Sequence, residues 1–287
     1  MGDFGTVVDS TDDRYGAQMK VWFITGTSRG FGNVWTQAAL QRGDKVVATA
    51  RDLAPLQPLV EEHGEAILPL QLDVSDRVAA FEAVATAHAH FGRLDVVVNN
   101  AGFGHMGYVE ELTEHEIRAQ FDTNVFGAIW VTQAALPFLR AQGSGHLVQV
   151  SSASGLTAAG GMGLYSASKW ALEGLSEALA QEVRKFGVSV TLIEPGGYAT
   201  GFGSTGRRNS EMHDDYIASH EKLVKLLGTA SSSDAKDSIP ALFAVVDAEK
   251  PPVRLLLGDQ AVDIVTSAYE RRLSDWKAWE GVSRSAG

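Results

Sequence analysis

The segment TGTSRGFG, residues 25–32, decides how the rest of the chain is interpreted. It follows a short apolar run at 20–25 (KVWFIT) and leads into residues 32–42, whose apolar positions recur with helical spacing. A strand that turns through glycines into a helix leaves backbone N–H groups and the positive end of the helix dipole facing the turn. The sequence therefore predicts a phosphate-binding turn between the first strand and the first helix.

Strands and helices alternate along the rest of the chain. Short apolar runs predict strands at 45–50, 66–72, 94–99, 146–151, 188–194 and 253–257. Helical spacing predicts helices near 53–62, 77–91, 114–141, 164–186, 211–227, 235–248 and 259–280. Apolar runs without polar alternation are typical of strands buried on both faces of a parallel sheet. The sequence thus predicts an α/β fold, a doubly wound, Rossmann-like parallel sheet of about seven strands in three α/β/α layers.

Three parts of the chain depart from this alternation. Residues 1–19 are predicted as an N-terminal tail and residues 259–287 as a C-terminal helical tail, on either side of a single Rossmann-type domain at 20–258. Residues 201–235 are rich in Gly, Ser, charged residues and His, and they follow the carboxyl end of a strand. Segments in that position commonly cover a substrate, so we expect a lid there.

The composition excludes several classes of function. The chain has 287 residues, with 24 Lys and Arg against 35 Asp and Glu, and a net charge of −11. Nucleic acids and anionic membranes are poor partners for such an acidic chain. Because the chain has no cysteine, disulfides, thiolate catalysis and thiolate metal sites are excluded. It has neither a secretory signal nor an apolar run near the ~18 residues of a membrane span, so we expect a cytoplasmic protein.

The end of the second strand bears on which dinucleotide the turn binds. Sites for NAD usually have an acidic residue there, about 20 positions after the glycines, to bind the ribose 2′-OH. This chain has Arg51 at that point, and Arg29 lies inside the glycine turn. Two cations favour a 2′-phosphate, so we expect NADP(H) to be preferred over NAD(H). The neighbouring Asp52 keeps NAD(H) open as the alternative.

A phenol and an amine share one face of the helix predicted at 164–186. Tyr165 and Lys169 are four residues apart, which places their side chains on the same side of the helix. An ammonium beside a phenol favours the phenolate and lowers a pKa that is normally about 10. Ser151 and Ser152 end a strand at the sheet edge where open α/β sheets bind ligands. Chance spacing on a surface helix is the alternative explanation for the Tyr–Lys pair.

Six short motifs, in this order and spacing, resemble those of the short-chain dehydrogenase/reductase family. The similarity covers about residues 20–200, and the single-domain length and strand order carry it to about 258. The motifs are TGTSRGFG, NNAG at 99–102, Asn124 in NVFG, Ser152 thirteen residues before Tyr165, YSASK at 165–169 and PGGYAT at 195–200.

The resemblance implies a catalytic set. Tyr165 would be the general acid/base, and Ser152 would orient and polarise the carbonyl oxygen. Lys169 would hold the nicotinamide ribose and lower the pKa of Tyr165, while Asn124 would anchor a water that relays protons. The implied reaction is NADP(H)-dependent transfer of hydride between the nicotinamide and a ketone, an aldehyde or a secondary alcohol.

The resemblance also implies where the cofactor binds. In addition to Tyr165 and Lys169, the expected contacts are Gly26, Ser28, Arg29, Gly30, Phe31 and Gly32 at the phosphates, Arg51 at the 2′-phosphate, Asp73 and Val74 at the adenine, Asn100, Ala101 and Gly102 beside the adenosine ribose, and Pro195, Gly196 and Thr200 at the nicotinamide.

Three segments at the same sheet edge are expected to surround the substrate. Residues 103–106, 153–156 and 198–202 combine Phe, Met, Leu and Tyr with few charges, which favours an apolar ketone or secondary alcohol. The residues expected to line the pocket are His105, Met106, Leu156, Tyr198 and Phe202.

Other titratable clusters have simpler interpretations. His88 and His90 point to different faces of a helix, so we expect no metal site from them. Acidic residues at a helix start complement the helix dipole and are usually solvated, and the lid histidines are interpreted as solvent contacts. These interpretations cover Glu110, Glu111, Glu114, Glu116, His213 and His220.

Two other functions remain open at this point. A non-catalytic NADP(H)-binding sensor or scaffold would need the glycine turn without the catalytic set. A sugar-nucleotide epimerase or dehydratase would use the same fold with a longer substrate domain than residues 201–287 supply. We expect a small-molecule carbonyl or alcohol as partner, and a homodimer or homotetramer formed through the helices at 114–141 and 164–186, which pair across subunits in similar proteins.

Overall fold

A computed structural model of the chain describes residues 19–201, 206–229 and 233–287. All of the predicted N-terminal tail except Met19 lies outside these residues, as do residues 202–205 and 230–232 of the predicted lid. The remainder contains the glycine turn, the predicted catalytic set and every predicted strand of the sheet.

Seven parallel strands form one sheet at the centre of the molecule. The strands are β1 (Val21–Thr25), β2 (Lys45–Ala50), β3 (Ile67–Gln71), β4 (Val96–Asn99), β5 (Gly145–Val150), β6 (Val188–Pro195) and β7 (Arg254–Leu257). Their spatial order is β3-β2-β1-β4-β5-β6-β7, so the direction of winding reverses between β1 and β4. In the register of the central strands, Phe23 lies opposite Val47 on one side and Val97 on the other. The predicted doubly wound sheet is confirmed.

Helices cover both faces of the sheet. They are α1 (Gly30–Gln41), α2 (Gln57–His63), α3 (Arg77–Phe91), α4 (Glu114–Phe121), α5 (Gly127–Gln142), α6 (Gly163–Val183), α7 (Ile217–Thr229), α8 (Ile239–Asp247), α9 (Asp259–Ala278) and α10 (Glu280–Arg284). Successive side chains of a strand point to opposite faces. Phe23 packs with the layer of α3, α5 and α6, whereas Trp22 and Ile24 pack with the layer of α1, α2 and α8. The strands therefore carry apolar residues at consecutive positions because both faces are buried.

Helix α3 has clear chemical boundaries at both ends. The Asp76 carboxylate accepts hydrogen bonds from the N–H groups of Val78 and Ala79 and caps the first turn. Gly92 adopts a left-handed conformation with φ of 76° and ends the helix. The predicted span 77–91 therefore coincides with the observed one.

The helix predicted as continuous over 114–141 is interrupted. Helix α4 ends at Phe121, a π-helical segment covers Asp122–Phe126, and α5 begins at Gly127. A π-helical turn inserts an extra residue and shifts the side chains that follow around the helix axis, and such turns are frequent at functional sites. Apolar periodicity does not reveal this insertion, because α4 and α5 each keep their own helical pattern.

The predicted C-terminal tail packs against the rest of the molecule through α9. Ala261, Val265 and Ala268 are buried on this helix, and Val265 packs with Ala153 and Leu156. The C-terminal part of α9 leaves large apolar side chains such as Leu273 and Trp276 exposed. In the part of the chain that the structure describes, no helix is both long and apolar enough to cross a membrane.

The lid region is joined to the sheet edge by two short parallel strand pairs. Gly104–Met106 pairs with Arg207–Asn209, and Tyr198–Ala199 pairs with Ser233–Asp234. The lid helix α7 begins at Ile217 rather than near residue 211, because a separate turn at Asp214–Tyr216 precedes it. These pairs place α7 over the carboxyl ends of the central strands.

The buried sheet predicts a large contrast between two leucine substitutions. Leu147 on β5 is fully buried between the helices of one layer, whereas Leu273 on α9 is 59% exposed. Leu147→Ala is expected to lower the free energy of unfolding by about 3 kcal/mol, because it leaves a cavity in the core. Leu273→Ala is expected to change it by less than about 0.5 kcal/mol. Urea unfolding of both variants tests this contrast, and similar losses at the two positions would contradict the described packing.

Candidate active site

The glycine turn after β1 is fixed to the end of β2 by Thr27. Its backbone N–H and its hydroxyl both donate to the carbonyl oxygen of Thr49, at 3.0 and 3.1 Å. Asn33, in the first turn of α1, donates back to the carbonyl of Thr27 at 3.1 Å. The turn is therefore held in one shape by protein contacts alone.

Two glycines of this turn are required by space and backbone conformation. Gly30 has φ of +60°, and a Cβ there would lie 3.1 Å from the carbonyl oxygen of Thr200. A Cβ at Gly32 would come within 2.5 Å of the Asn100 Nδ2. A side chain at either position would push apart the turn and the two loops beside it.

The beginning of α1 has the chemistry of an anion site. Arg29 at its N-cap is extended and makes no side-chain capping hydrogen bond, and the first turn contains no acidic residue. The backbone N–H groups of this turn and the positive end of the helix dipole therefore face the space above the glycines. These features fit the pyrophosphate of a dinucleotide, as the sequence predicts.

Asn100 connects the glycine turn to the end of β4. Its side-chain amide donates to the carbonyl oxygens of Thr25 and Gly26, at 2.8 and 3.0 Å. The hydroxyl of Thr25 in turn accepts the N–H groups of Asn100 and Ala101, both at 2.9 Å. The predicted wall beside the adenosine ribose, at Asn100, Ala101 and Gly102, is thus directly bonded to the predicted phosphate turn.

The residues after β2 and β3 lie on the cofactor side of the same edge. Arg51 is exposed directly after β2, whereas the Asp52 carboxylate accepts the N–H of Ala54 at 3.0 Å and caps the next turn. After β3, the Asp73 carboxylate accepts the N–H and hydroxyl of Ser75, at 3.0 and 2.7 Å. Val74 is buried beside Gly127, and its side chain shapes the floor next to Asp73.

The predicted catalytic side chains meet where β5 ends. Tyr165 and Lys169 are 6% and 5% exposed on the first turns of α6, and a hydrogen bond joins Ser152 to Tyr165. Lys169 Nζ donates to the carbonyl oxygen of Val150 at 2.8 Å and lies 5.8 Å from the centre of the Tyr165 ring. The structure thus brings the hydroxyl, the phenol and the amine together.

The pKa of Tyr165 differs from the sequence-based expectation. Burial raises it to about 12, and the hydrogen bond with Ser152 opposes this only in part. The expected lowering by Lys169 does not dominate, because burial also lowers the pKa of Lys169, to about 8, and its ammonium faces Val150. As described, Tyr165 is a phenol at neutral pH and is therefore poised to donate a proton.

Asn124 is buried on the π-helical segment and connects the loop after β4 to helix α6. Its Oδ1 accepts the N–H of Phe103 at 3.1 Å, and its Nδ2 donates to the Phe103 carbonyl at 3.0 Å and to Ser168 at 3.1 Å. Gly102 separates Asn124 from Lys169, since a Cβ there would lie 3.1 Å from Asn124 Oδ1 and 3.7 Å from Lys169 Nζ. Glycine at this position keeps the space between the two side chains open.

The lid covers Tyr165 with apolar side chains. Leu223 of α7 packs with Met106, Met162 and Tyr165 in one buried cluster. The approach is close, because a Cβ at Gly161 would lie 2.6 Å from Leu223. The space next to the phenol is therefore bounded by thioether and leucine side chains.

Glu111 anchors the lid, which corrects its interpretation as a solvated residue. Its side chain is fully buried, accepts the N–H groups of Tyr108 and His213 at 2.7 and 3.0 Å, and pairs with His220 at 2.8 Å. His220, expected as a solvent contact, is only 3% exposed. Burial alone would raise the pKa of Glu111, but these donors together lower it below its usual value.

Tyr108 and Tyr216 strengthen the same junction. Their rings stack at 4.6 Å with an angle of 8°, and the Tyr216 hydroxyl donates to the exposed Glu110 at 2.8 Å. The ring of His220 also meets Tyr108 edge-on at 5.0 Å. The lid is thus attached through aromatic contacts around the buried hydrogen bond between Glu111 and His220.

The predicted substrate residues occupy different surroundings. Met106 packs on Tyr165, but His105 is buried and bonds Ser210 at 2.8 Å, so it fastens the lid strand. Leu156 packs under α9, and its carbonyl accepts Arg272 at 2.7 Å. Tyr198 lies against the ring of Phe31 at 5.0 Å. Phe202 lies outside the described residues.

The loop after β6 lies between the start of α9 and the glycine turn. Pro195 ends the strand, and Gly196 donates its N–H to the carbonyl of Leu257 at 3.1 Å. A Cβ at Gly196 would lie 2.9 Å from the backbone nitrogen of Ala261, so this loop packs directly on the start of α9. Thr200 faces Gly30 of the phosphate turn.

Sequence reasoning missed Met162, Leu223 and Glu111. The sequence offers one indication for Leu223: it follows His220 by three residues, so both side chains lie on the same face of the lid helix. No local signal identifies Glu111, whose ion-pair partner is 109 residues away along the chain. Among the described residues no cluster of three or more His, Asp or Glu side chains is arranged to hold a metal ion.

Known proteins share this arrangement of elements. Residues 20–211 match the family model for short chain dehydrogenases. An oxidoreductase of Botryotinia fuckeliana, BOA17, is 40% identical over 270 residues, covering 92% of this chain and 98% of that one. A 3-ketodihydrosphingosine reductase of Bacteroides thetaiotaomicron is 35% identical over 247 residues, covering 84% and 88%. The crystal structure of a short-chain dehydrogenase from Streptomyces avermitilis, 39% identical, has a TM-score of 0.88 and covers 95% and 100%.

The lid anchor predicts a pH-dependent contribution to stability. Because the pKa of Glu111 is lower in the folded chain than its ordinary value of 4.5, its carboxylate stabilises the fold above that pH and ceases to do so as the pH falls further. Glu111→Gln is expected to cost about 2 kcal/mol of unfolding free energy at pH 7, and this difference should shrink below pH 4.5.

The control for this prediction is Glu110→Gln. Glu110 is exposed and bonds only the neighbouring Tyr216 hydroxyl among the contacts described for it, so its replacement is expected to cost less than about 0.5 kcal/mol. Denaturant unfolding of both variants between pH 7 and the acid limit of folding is the measurement. A cost at Glu111 that stays constant across this range would show that its charge does not anchor the lid.

Proposed function

The chain belongs to the short chain dehydrogenase family of oxidoreductases, whose Rossmann-like fold binds a nicotinamide cofactor. On that basis we propose that it is an NADP(H)-dependent enzyme that reduces apolar ketones or aldehydes, or oxidises secondary alcohols. The observation that carries this proposal is the meeting of Ser152 with the buried Tyr165 and Lys169 at the end of β5. It lies at the same sheet edge as the glycine turn.

The division of work follows from the positions of these side chains. The cofactor, when bound, supplies or accepts hydride at its nicotinamide ring. Tyr165 donates a proton to the carbonyl oxygen on reduction, and Ser152, bonded to Tyr165, orients that oxygen. Lys169 holds the nicotinamide ribose and places a positive charge near the phenol. A pKa of about 12 keeps Tyr165 protonated, which suits the acid role in reduction.

Asn124 supplies the route by which Tyr165 and Lys169 exchange protons with solvent. The side-chain amide nitrogen of Asn124 donates to protein groups at Phe103 and Ser168. A relay water would therefore be held by the side-chain or main-chain carbonyl oxygen of Asn124. The open space beside Gly102 lies between this residue and Lys169. Asn124 therefore acts through a water rather than by touching the substrate.

NADP(H) rather than NAD(H) is supported by how the charges near β2 are used. The carboxylate that competes for the ribose, Asp52, caps the turn at Ala54. Arg51 is exposed at the end of β2, and Arg29 stands at the N-cap of α1. A guanidinium suits a phosphate in charge and geometry, so these two residues are proposed to bind the 2′-phosphate.

An apolar substrate is supported by the surroundings of the phenol. Met106, Met162 and Leu223 surround Tyr165 and offer dispersion contacts without hydrogen-bonding groups in their side chains. A phosphorylated or sugar substrate would leave its polar groups unpaired there. One relative is a 3-ketodihydrosphingosine reductase, a name that specifies a keto substrate.

We also propose that the protein forms a homodimer or homotetramer in the cytoplasm. The helices expected to pair, α4 to α6, leave apolar side chains exposed at Ile117, Phe126, Trp170 and Leu175. Exposed large apolar residues on neighbouring helices are typical of subunit interfaces. Light scattering measures the assembly directly.

The catalytic proposal predicts the effect of removing one hydroxyl. Tyr165→Phe is expected to lower the turnover of NADPH-dependent carbonyl reduction by about 10²- to 10⁴-fold, because the proton donor is lost while the ring keeps its packing. Its affinity for NADPH, measured by fluorescence titration, should stay within a few-fold of wild type. Near-normal turnover would overturn the assignment. Tight NADPH binding by the wild type without oxidation on any ketone or aldehyde of a broad panel would favour a non-catalytic sensor.

The cofactor proposal predicts that only one of two adjacent residues affects the KM for NADPH. Arg51→Ala is expected to raise the KM for NADPH about tenfold or more and leave that for NADH nearly unchanged, since the charged hydrogen bond to the 2′-phosphate is lost. Asp52→Asn is the matched control and should affect neither cofactor strongly, because Asp52 caps a turn. Parallel rates of NADPH and NADH oxidation test this. Equal losses with both cofactors in Arg51→Ala would contradict 2′-phosphate recognition.

A further inference from the structure

A second group of buried charged residues lies directly behind Lys169. Glu173 follows it by four residues on α6, Glu194 lies near the end of β6, and Arg254 begins β7. Glu173 and Glu194 are 4% and 0% exposed. Nothing in the proposed reaction uses these carboxylates, so their burial needs a separate explanation.

Arg254 cannot neutralise both buried carboxylates. Its Nε donates to Glu173 Oε2 at 3.0 Å and its Nη2 donates to Glu177 Oε2 at 2.8 Å. The same Nε is 3.5 Å from Glu194 Oε1. No N–H or hydroxyl group among the described residues donates to either oxygen of Glu194, and its hydrogen-bond partner is the Glu173 carboxyl group. The guanidinium is therefore committed to the two glutamates of α6.

Glu194 consequently cannot bear a full negative charge at low cost. A buried carboxylate without a hydrogen-bond donor takes up a proton instead. Burial and the neighbouring charge of Glu173 raise the pKa of Glu194 to about 8. Burial also raises the pKa of Glu173, but the Ser151 hydroxyl and the Arg254 guanidinium oppose this rise. The pair therefore shares one proton, and the hydrogen bond from Arg254 places the negative charge on Glu173 and leaves the proton to Glu194.

The cluster is closed off on the side of the catalytic loop. A Cβ at Gly155 would lie 2.6 Å from Ser151 Oγ and 3.1 Å from Glu173 Cγ, so the turn after Ser152 packs tightly on the glutamate. Water therefore screens the charge of Glu173 poorly. The negative charge of Glu173 then acts on the nearest buried cation of the same helix. That cation is Lys169.

Lys169 needs this charge because it is itself buried. Its described hydrogen bond goes to a neutral acceptor, the carbonyl oxygen of Val150. Burial lowers the pKa of Lys169 to about 8, and the negative charge of Glu173 acts in the opposite direction. The other groups around the carboxylate are the Ser151 hydroxyl, the Glu194 acid, the Arg254 guanidinium and the half-exposed Glu177.

We propose that Glu173 is a positioning residue of the active site, whose carboxylate keeps the buried Lys169 charged, while Glu194 carries the proton that allows the two carboxyl groups to be buried side by side. The proposal rests on the role of Lys169 in the proposed function. Glu173 acts through the charge of Lys169 and contacts neither cofactor nor substrate. It extends the functional set by one helical turn along α6.

The test is the pH dependence of NADPH affinity, which needs no substrate. A protonated Lys169 binds ribose hydroxyls better than a neutral amine, so affinity should fall once the pH passes the pKa of Lys169, near 8 in the wild type. Glu173→Gln is expected to move this break down by about one pH unit. Glu177→Gln is the matched control, because it removes a carboxylate from the same guanidinium at a half-exposed position, and should leave the break in place.

Two further variants separate the possible failures. Lys169→Met should abolish the break; if the break survives, the role of Lys169 is overturned, and the role of Glu173 falls with it. If Lys169→Met abolishes the break but Glu173→Gln leaves it at the wild-type pH, only the role of Glu173 is overturned. Glu194→Gln resembles a protonated acid in shape and charge, so it should keep the wild-type break. A shift as large as that of Glu173→Gln would assign the charge to Glu194 and overturn the proposal.

An infrared measurement keeps the proposal testable if Glu173→Gln does not fold. The wild type minus Glu194→Gln difference spectrum at pH 7 should contain the carbonyl stretch of one protonated carboxylic acid. A spectrum without this band means that Glu194 is ionised and overturns the shared-proton arrangement. Thermal unfolding of each variant, followed by circular dichroism, verifies that the compared proteins are folded.

Discussion

The Asn100 side chain joins the two functional halves of this molecule where the winding of the sheet reverses. Its amide holds the carbonyls of Thr25 and Gly26, while the Thr25 hydroxyl accepts the N–H groups that follow β4. The phosphate turn belongs to one half of the sheet, and Ser152 and Tyr165 belong to the other. This junction therefore sets the separation between a cofactor on the turn and the phenol, as is usual for ligands at the switch point of an open α/β sheet.

Burial links the lid to the chemistry beneath it. Leu223 excludes water from Tyr165, which raises the pKa of the phenol and strengthens every electrostatic interaction nearby. The same dry surroundings make Lys169 costly to keep charged. Leu223 lies on α7, so the Glu111–His220 contact that anchors this helix also holds the apolar cover over Tyr165. The proposed preference for apolar substrates and the proposed proton donation by Tyr165 thus share one cause, the burial of the phenol.

The sheet was predictable because two-sided burial leaves consecutive apolar residues in each strand. The sequence motifs also placed Ser152 after its strand and Tyr165 and Lys169 on one helix. Contacts between distant segments were not predictable. Leu156 turns toward α9, and Tyr198 toward Phe31, because helices elsewhere in the chain cover them. The direction of the Tyr165 pKa likewise depends on α7, whose docking no local pattern reports.

In the proposed reaction, hydride passes between an NADP(H) nicotinamide and the carbonyl carbon of an apolar substrate held at Tyr165. The most direct measurement follows deuterium from NADPH or NADH, labelled at C4 of the nicotinamide, into the products of an alkyl and aryl ketone panel by mass spectrometry. One deuterium is expected on the carbinol carbon of an apolar product, delivered faster from NADPH, and none is expected with Tyr165→Phe on the same timescale. Alcohol products without label from either cofactor, or label delivered preferentially from NADH, would contradict it.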